Sequence, residues 1–358
     1  MTHLEAFRHK LSGKADAALI SSPQNQYYLS HFPYEDGYLL ILSDAAYLLA
    51  DFRYAEAAKQ QADRDFTVVE RKGLNMMSEI LALLQYHNAK TLLLEEQNVT
   101  LATHARIAGT LTGIELCTGA GALLSELRMR KDAEEIAIIG EAQEITDAAF
   151  THILTYLHEG LREIDVALEL ETFMRRQGAD GISFDTIAVS GSASSLPHGV
   201  PRACTLEKGF LTMDFGARYR GYCADMTRTV VIGRADDDMK HLYNTVLSAQ
   251  RAALAAAKSG MSCNALDKVA RDIIYDAGYQ GCFGHSLGHG VGIDVHETPS
   301  VSPSSKPESL LLPGHIVTVE PGIYIEGKYG CRIEDMIAVL PDGKIHNFTK
   351  SDKELIEI

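Results

Sequence analysis

The stretch TMDFGARYRGYCADMT, at residues 212–227, carries one aspartate on each side of a glycine-containing turn. Its apolar and β-branched residues predict an antiparallel hairpin. A turn centred between Tyr219 and Arg220 would place Asp214 opposite Asp225, where Cβ atoms are about 4.5–5.5 Å apart. Two ionised carboxylates that close repel each other, and burying them in a sheet is costly unless a positive charge compensates.

A second stretch, VEPGIYIEGKYGCRIED at residues 319–335, repeats the arrangement. A turn centred on Gly327 would place Glu320 opposite Glu334. In the simplest interpretation each acid pairs with Arg228, with Arg332 or with solvent. Two acid pairs in two hairpins instead favour divalent cations, because these ions stabilise carboxylate clusters. The sequence therefore predicts two metal ions that share carboxylate oxygens.

Histidines lie between the two acid-bearing stretches. The segment FGHSLGHGVG at residues 283–292 contains His285 and His289, and its glycines disfavour a helix. In an extended segment this even offset places both side chains on one face. His296 follows shortly afterwards, and His198 lies in another glycine-containing loop, LPHG. A single histidine is more often structural, but this grouping beside the acids predicts a role at the metal site.

The order of predicted elements indicates two domains, at residues 1–125 and 126–358. The first alternates strands and helices, which predicts an α/β domain. Its strands are predicted at 19–21, 38–42, 47–50, 66–69 and 91–94, and its helices at 53–63, 74–87 and 100–109, the last capped by Thr100. In the second domain, two helices, a His-Gly loop and a two-strand segment occur twice in that order. This repetition predicts an α+β domain with pseudo-two-fold symmetry.

Composition limits the classes of function. The chain has 358 residues, with Lys+Arg 33, Asp+Glu 48 and a formal net charge of −15 at pH 7. Such acidity argues against nucleic acid or an anionic membrane as a partner, because phosphate contacts need clustered Lys and Arg. No apolar run approaches the ~20 residues that span a bilayer, and the start of the chain does not resemble a secretory signal. Six scattered cysteines without a C-x-x-C pair predict reduced thiols and a cytoplasmic location.

The acids and one histidine also match a known pattern. The order Asp214, Asp225, His289, Glu320, Glu334 resembles the five metal ligands of the pita-bread metallopeptidases, which include methionine aminopeptidase, aminopeptidase P and prolidase. The matching local contexts are MDFGA, ADMTRT, GHGVG, VEPGIY and RIED. The segments NQYYLSHF (25–32) and LADFRY (49–54) resemble the creatinase-type N-terminal domain of the proline-specific members. The resemblance covers essentially the whole chain and implies a creatinase-like domain, with a mixed sheet and helices, before a pita-bread catalytic domain.

The resemblance implies a dinuclear-metal peptidase that hydrolyses the Xaa-Pro bond at the N-terminus of short peptides, as aminopeptidase P or prolidase. Asp225 and Glu334 would bridge both ions, Asp214 would complete one site, and His289 and Glu320 the other. This oxygen-rich set with one imidazole suits Mn²⁺, with Co²⁺, Fe²⁺ or Zn²⁺ possible. The resemblance also implies a homodimer.

The expected mechanism begins with attack of a metal-bridging hydroxide on the carbonyl that precedes proline. Glu320 would accept the proton and pass it to the leaving nitrogen, and His296 would help to stabilise the oxyanion. The other expected roles belong to His198 and His285, which would shape the substrate pocket, and to Arg332 and Tyr324, which would orient Glu334 and the substrate.

Two other functions remain open at this stage. One is a methionine-type or broader-specificity aminopeptidase on the same fold, and the other is a pita-bread protein that binds partners without catalysis. Creatinase shares the architecture but lacks the metal ligands, so the complete set of five argues against it. Cys331 replaces the small apolar residue expected beside Arg332, and we expect its thiol to be buried and inert.

Overall fold

The computed structural model describes residues 1–71 and 75–358. The chain divides into two compact units, Met1–Arg128 and Met129–Ile358, which we call the N-terminal and C-terminal units. Within the described residues, no helix combines the length and apolar character needed to cross a membrane.

The N-terminal unit is built around one mixed sheet, with the strand order β4-β3-β2-β1-β5-β6. Its strands are β1 (Ala17–Ile20), β2 (Gly37–Leu42), β3 (Ala46–Ala50), β4 (Thr67–Glu70), β5 (Thr91–Leu94) and β6 (Glu115–Thr118). Its helices are α1 (His3–Leu11), α2 (Pro23–Ser30), α3 (Phe52–Gln61), α4 (Met76–Tyr86), α5 (Leu101–Thr110) and α6 (Ala120–Arg128). Strand β2 is antiparallel to both of its neighbours and the other pairings are parallel. This mixed sheet with helices confirms the predicted fold class.

Helix caps explain where several of these helices begin. Thr100 accepts a hydrogen bond from the Thr103 backbone N–H, so the predicted cap of α5 is confirmed. The predicted helix over 74–87 begins at Met76, and its first predicted residue lies outside the described residues. Helix α1 is absent from the sequence-based prediction although Thr2 and Glu5 form a capping box, a signature that sequence inspection can find. Helices α2 and α6 and strand β6 were also missed.

The C-terminal unit contains four α-helices, one 3-10 helix and four antiparallel sheets among its described residues. The helices are α7 (Ala133–Tyr156), α8 (Glu163–Arg176), α9 (Asp237–Ala256) and α10 (Cys263–Asp276). The first-half strands are β7 (Gly181–Ile182), β8 (Ile187–Ser190), β9 (Gly209–Phe215), β10 (Ala217–Tyr219), β11 (Tyr222–Cys223) and β12 (Met226–Ile232). The second-half strands are β13 (Gly288–Gly290), β14 (Glu297–Val301), β15 (Ile316–Val319), β16 (Gly322–Ile325), β17 (Tyr329–Arg332), β18 (Asp335–Val339) and β19 (Ile345–Asn347).

The two halves of this unit repeat one construction, as predicted. Helices α8 and α10 both have 14 residues, and each follows a longer helix. An isolated antiparallel bridge precedes each of them, Arg162 with Thr205 and Ser262 with Leu310. Each half also has a core around its own two helices, and that of the second half additionally includes Phe210 and Val231 from first-half strands. These features support an α+β domain made of two related halves.

The first hairpin, formed by β9 to β12, differs from the predicted register. Asp214 lies opposite Thr227, so the prediction that it faces Asp225 is wrong. The turn is at Arg220 and Gly221, both in the left-handed region with φ of 45° and 77°, which displaces the pairing by two residues. An even displacement keeps side chains on the same face, so Asp214 and Asp225 still point to one side.

The second hairpin, formed by β15 to β18, has the predicted register. Val319 pairs with Asp335, and Gly322 pairs with Arg332. Glu320 and Glu334 lie between these pairs and continue the same alignment. The predicted turn centred on Gly327 is therefore confirmed, and Gly327 adopts a φ of 68° that favours glycine.

Candidate metal centre

Side chains from three segments of the C-terminal unit meet at one place. Asp225 comes from the first hairpin, Glu334 from the second, and His289 from β13 between them. Each offers one ligand atom, and these atoms all lie within 4.8 Å of one another. Asp225 and Glu334 are buried, at 4% and 1% exposure. Such a set of carboxylate and imidazole donors is typical of a divalent metal site.

Glycines allow β13 to place His289 between its neighbours. A Cβ on Gly288 would lie 2.1 Å from the Thr318 carbonyl oxygen, and one on Gly290 would lie 2.3 Å from that of Thr298. No side chain fits at either position, since both contacts are with backbone. The glycines of this segment therefore bring β13 close to the strands beside it.

The hydrogen bonding of His289 fixes which nitrogen carries the proton. Its Nδ1 lies 3.0 Å from the Gly290 carbonyl oxygen, which can only accept, so Nδ1 is the donor. Burial lowers the pKa of His289 to about 4, so the ring is neutral near pH 7. Its Nε2 then holds a lone pair that faces Glu320 Oε1 at 3.3 Å and Asp225 Oδ2 at 3.6 Å. Lone pairs from three donors converge there, which is the arrangement that a cation would stabilise.

Threonine hydroxyls hold two of the carboxylates. Thr227 Oγ1 donates to Glu334 Oε2 at 2.7 Å, and Thr318 Oγ1 donates to Glu320 Oε1 at 3.2 Å. Thr318 Oγ1 also accepts from the backbone N–H of His289. Sequence inspection missed both threonines. Each lies two residues from a predicted ligand on the same strand face, so the period-two pattern of a strand could have found them.

Asp214 has a positively charged partner. Arg332 Nη2 donates to Asp214 Oδ2 at 2.7 Å, and the Arg332 side chain is almost fully buried. The simplest interpretation of the acids, an ion pair with arginine, is therefore correct for Asp214. The other oxygen, Asp214 Oδ1, is buried and accepts no hydrogen bond from the described residues. Arg228 pairs with Asp335 rather than with any of the four predicted acids.

Arg332, Tyr324 and His285 form a chain of hydrogen bonds beside the acids. Arg332 Nη1 donates to Tyr324 Oη at 2.7 Å, and Tyr324 Oη lies 3.0 Å from His285 Nε2. His285 Nδ1 lies 2.8 Å from the Ser286 carbonyl oxygen, so Nδ1 donates and Nε2 accepts from the tyrosine. Burial lowers the pKa of His285 to about 4 and raises that of Tyr324 to about 12. Both groups are therefore neutral near pH 7.

The two remaining predicted histidines are exposed at the edge of the site. The ring of His296 lies 4.3 Å from that of His289, centroid to centroid. His198 follows a 3-10 helix, Gly191–Ser195, and the neighbouring Pro197 carbonyl accepts from Arg332 Nη1 at 3.2 Å. The charge of His198 adds to the burial and the Arg332 charge that lower the pKa of His285.

The electrostatics of the cluster show a deficit of positive charge. Burial, followed by the charges of Glu334 and Asp214, raises the pKa of Asp225 well above its ordinary value. Burial, followed by Glu320 and Asp214, does the same for Glu334, and burial raises the pKa of Glu320 to about 8. Arg332 supplies one positive charge to four carboxylates. The unpartnered Asp214 oxygen, the His289 lone pair and these raised pKa values all fit divalent cations held by this set.

Cys331 lies on the other side of the second hairpin. Its side chain is buried among the apolar residues of the second half, and burial raises the pKa of its thiol to about 12. A thiol with this pKa is protonated and unreactive near pH 7. The six cysteines are all free.

Comparison with known families covers both units. Residues 137–341 match metallopeptidase family M24, and residues 4–130 match the creatinase/prolidase N-terminal domain. Together these regions take in nearly the whole chain, and the first includes all five predicted ligands.

Individual relatives agree with these matches. The chain is 37% identical to the Xaa-Pro dipeptidase of Pyrococcus furiosus over 344 residues, which is 95% of each protein. It superimposes on the Xaa-Pro dipeptidase from Bacillus anthracis with a TM-score of 0.94 and 40% identity over 99% of each chain. It also superimposes on the X-Pro aminopeptidase from Thermotoga maritima with a TM-score of 0.91 and 38% identity, over 98% of this chain and 99% of that one.

Proposed function

Because the chain belongs to metallopeptidase family M24 and has a creatinase/prolidase N-terminal domain, we propose that it hydrolyses the Xaa-Pro bond of short peptides. One observation carries the proposal. Buried acids from both hairpins converge on the unprotonated Nε2 of His289, an arrangement of donors that fits divalent cations. A binding protein without catalysis would not need this buried and electrostatically unfavourable cluster.

The proposed ligands are the five predicted residues. Asp225 and Glu334 would contact both of two ions, Asp214 would complete one site, and His289 and Glu320 would complete the other. We propose Mn²⁺ because four of the five ligands are carboxylates, which suit that ion. Bound ions of this kind polarise a carbonyl and lower the pKa of coordinated water.

Glu320 is the proposed proton carrier. Its Oε1 accepts a hydrogen bond from the Thr318 hydroxyl at 3.2 Å and lies 3.3 Å from the lone pair of His289 Nε2. A carboxylate fixed beside the reacting groups can accept a proton as a general base and return it as a general acid. It would take a proton from the attacking water and deliver it to the proline nitrogen of the leaving group.

The neighbouring side chains would bind and orient the peptide. His296 is exposed beside His289 and would donate to the oxyanion. Tyr324 and His285 would line the pocket, with the tyrosine oriented by Arg332. His198 would lie at the entrance, where its loop is tied to Arg332 through the Pro197 carbonyl. The scissile amide of an Xaa-Pro bond has no N–H, so the site needs no acceptor for one.

The names of the relatives support two substrate preferences. The similar proteins of Pyrococcus furiosus and Bacillus anthracis are named Xaa-Pro dipeptidases, which favours dipeptides as substrates. The similar Thermotoga maritima protein is named an X-Pro aminopeptidase, which keeps longer peptides as the second candidate. We also propose a homodimer in the cytoplasm. The free cysteines support the compartment, and the dimer rests on the family resemblance.

An assay with three peptides tests the proposal. Metal-free protein supplied with Mn²⁺ is offered Ala-Pro, Arg-Pro-Pro and Met-Ala-Ser. Cleavage of Ala-Pro alone indicates a dipeptidase, cleavage of Arg-Pro-Pro indicates an aminopeptidase P, and cleavage of Met-Ala-Ser supports the broader aminopeptidase. A chelator should abolish the activity and Mn²⁺ should restore it. Wild-type activity that is insensitive to chelation would sink the metal mechanism.

A matched pair of variants locates the activity. Glu320→Ala should abolish turnover, because it removes both a ligand and the proton carrier. Glu326→Gln is the control, since Glu326 is an exposed acid of the same hairpin. Equal activity of the two variants would contradict the proposed role of Glu320.

A further inference from the structure

A buried arginine lies directly behind the candidate metal centre. The Arg228 side chain is 1% exposed and makes five hydrogen bonds. Four go to carbonyl oxygens: Nη1 donates to Thr227 at 3.0 Å and Glu334 at 2.6 Å, Nε to Asp352 at 3.0 Å and Nη2 to Ser351 at 2.9 Å. Two of these acceptors belong to the hairpins, and two belong to the last residues of the chain.

The fifth hydrogen bond goes to Asp335, the residue after Glu334. Arg228 Nη2 donates to Asp335 Oδ1 at 2.9 Å, and the Asp335 side chain is fully buried. Its other oxygen accepts from Lys353 Nζ at 2.6 Å and from Asn347 Nδ2 at 2.7 Å. Successive strand residues point to opposite faces, so Glu334 faces the acids while Asp335 faces this ion network.

The Arg228 side chain links the two hairpins close to the acids of the candidate metal centre. Strands β12 and β18 belong to different sheets, so no ladder of hydrogen bonds sets their relative position. The Glu334 backbone N–H donates to the Thr227 carbonyl at 3.1 Å, and Arg228 Nη1 contacts the carbonyls of both residues. Displacing Arg228 would therefore remove one of the links that hold the Glu334 main chain to the first hairpin.

Residues 347–354, which we call the C-terminal brace, hold this arrangement from behind. Lys353 Nζ contacts Asp335 and also donates to Gln250 Oε1 at 3.2 Å on α9. The Ser351 backbone N–H and Oγ both donate to Asp147 Oδ1 on α7, at 2.8 and 2.5 Å. The brace is therefore anchored to one helix from each half of the unit.

We propose that Arg228 is a positioning residue for the metal centre, and that the C-terminal brace contributes to metal affinity through Asp335 and Arg228. This inference rests on the proposed function, because it needs ions bound to Glu334. The network acts on the Glu334 main chain from the face opposite its carboxylate. A shift of Glu334 would displace one of the two acids proposed to contact both ions.

A contribution to fold stability does not by itself explain why Arg228, Asp335 and Lys353 form this network. Burying an arginine, a lysine and an aspartate costs desolvation free energy, and apolar residues of similar size often stabilise a fold as well or better. A network of hydrogen bonds with fixed directions instead defines the position of the groups that it contacts, and residues that orient metal ligands typically contribute 10–100-fold to metal affinity or activity.

The test measures Mn²⁺ binding by the metal-free full-length protein with calorimetry. Arg228→Lys keeps the charge but cannot make all five hydrogen bonds, and we expect its Mn²⁺ affinity to fall about 10–100-fold. Lys353→Met removes one partner of Asp335 and should lower the affinity by about tenfold. Arg251→Met is the control, since exposed Arg251 pairs with Glu354 of the same brace without contacting Asp335. Its affinity should equal that of wild type.

The outcomes separate this inference from the proposed function. If wild type binds no Mn²⁺, the proposed function fails. If wild type binds Mn²⁺ and both Arg228→Lys and Lys353→Met bind it equally well, the positioning role is overturned, even if their melting temperatures fall. If Arg228→Lys does not fold, the Mn²⁺ affinity of Lys353→Met is the deciding measurement. A Lys353→Met affinity equal to that of wild type overturns the role of the C-terminal brace.

Discussion

The two hairpins of the C-terminal unit hold their acids in different registers. In the first, Asp214 faces Thr227, and Asp225 is displaced along the strand. In the second, Glu320 and Glu334 occupy facing positions. Both arrangements still deliver two carboxylates to one side. The face on which an acid lies thus matters more for the site than the residue opposite to it.

Side chains of each hairpin also form hydrogen bonds with an acid of the other hairpin. Arg332 of the second hairpin binds Asp214 of the first, and Thr227 of the first binds Glu334 of the second. Thr227 Oγ1 further accepts from Arg332 Nε at 2.9 Å, which joins the two contacts. Neither hairpin is complete without the other. We therefore expect the two hairpins to act as one unit, and the following predictions test that expectation.

The largest effect is expected when one ligand is removed from each hairpin. Asp225→Asn and Glu334→Gln should each lower kcat/KM by about 10³-fold or more, because bound metal ions contribute several kcal/mol of transition-state stabilisation. If the hairpins form one centre, the double variant should lose little more than either single variant, because residues that act together are not additive. Steady-state kinetics of all three variants measures this. Losses that add in the double variant would instead indicate two independent sites.

A second prediction concerns the stability of the metal-free protein. The folded protein keeps the Glu320 proton up to about pH 8, whereas an unfolded glutamate releases it near 4.5, and the raised pKa values of Asp225 and Glu334 act in the same direction. Between these values the folded state binds more protons, so stability falls as the pH rises. His285 and His289 have the opposite dependence, but an unfolded histidine is largely deprotonated above 6.5. From about pH 7 to about pH 8.5 Glu320 alone should lower the melting temperature by about 2–4 °C, equivalent to about 1 kcal/mol, and Asp225 and Glu334 should add to this fall.

The hairpins should respond differently to removal of one charge. Glu320→Gln should weaken this pH dependence, because it removes one of the three acids whose pKa values are raised. Asp214→Asn should instead destabilise the protein across the whole range, because it leaves the buried Arg332 without its carboxylate. Calorimetric scans of chelated protein at several pH values measure both effects. A metal-free wild type whose stability rises with pH over this range would refute the raised pKa values of these acids.

The strand pattern of the sequence contains much of this site, but not its cross-connections. Alternating strand positions are enough to predict that the four acids meet, and a register error of two residues does no harm because it preserves the face. The turn at Arg220 and Gly221 could not be inferred reliably, since an arginine in the left-handed region is unusual. The contacts of Thr227 with Arg332, and of Arg228 with the C-terminal brace, join residues more than one hundred positions apart. Such contacts depend on how the two halves of the C-terminal unit pack together, and local sequence patterns do not encode this packing.

Smaller losses of metal binding than those from ligand removal are expected for the two threonines that bind carboxylates. Thr227→Val and Thr318→Val replace a hydroxyl with a methyl of similar size in matched positions of the two hairpins. Thr227→Val should lower metal affinity by about 10–100-fold, because it frees Glu334 and leaves a guanidinium N–H unpaired. Thr318→Val should lower it by about tenfold or less, since its bond to Glu320 is longer, at 3.2 Å against 2.7 Å. Calorimetric titration with Mn²⁺ measures both values.

Thr229→Val provides the control for this last comparison. Thr229 lies on the same strand face as Thr227 and is equally buried, but its hydroxyl bonds to the Arg332 backbone, to Thr212 and to Cys331 and to none of the proposed ligands. Loss of the Thr229 hydroxyl should destabilise the fold by about 1–3 kcal/mol because buried polar groups are left unpaired. The metal affinity of Thr229→Val should equal that of wild type. If Thr229→Val lowers the affinity as much as Thr227→Val, the effect comes from general loosening of β12. A loss confined to Thr227→Val would show that the hydrogen bonds of the Thr227 hydroxyl, rather than any contact of β12 with the second hairpin, position Glu334.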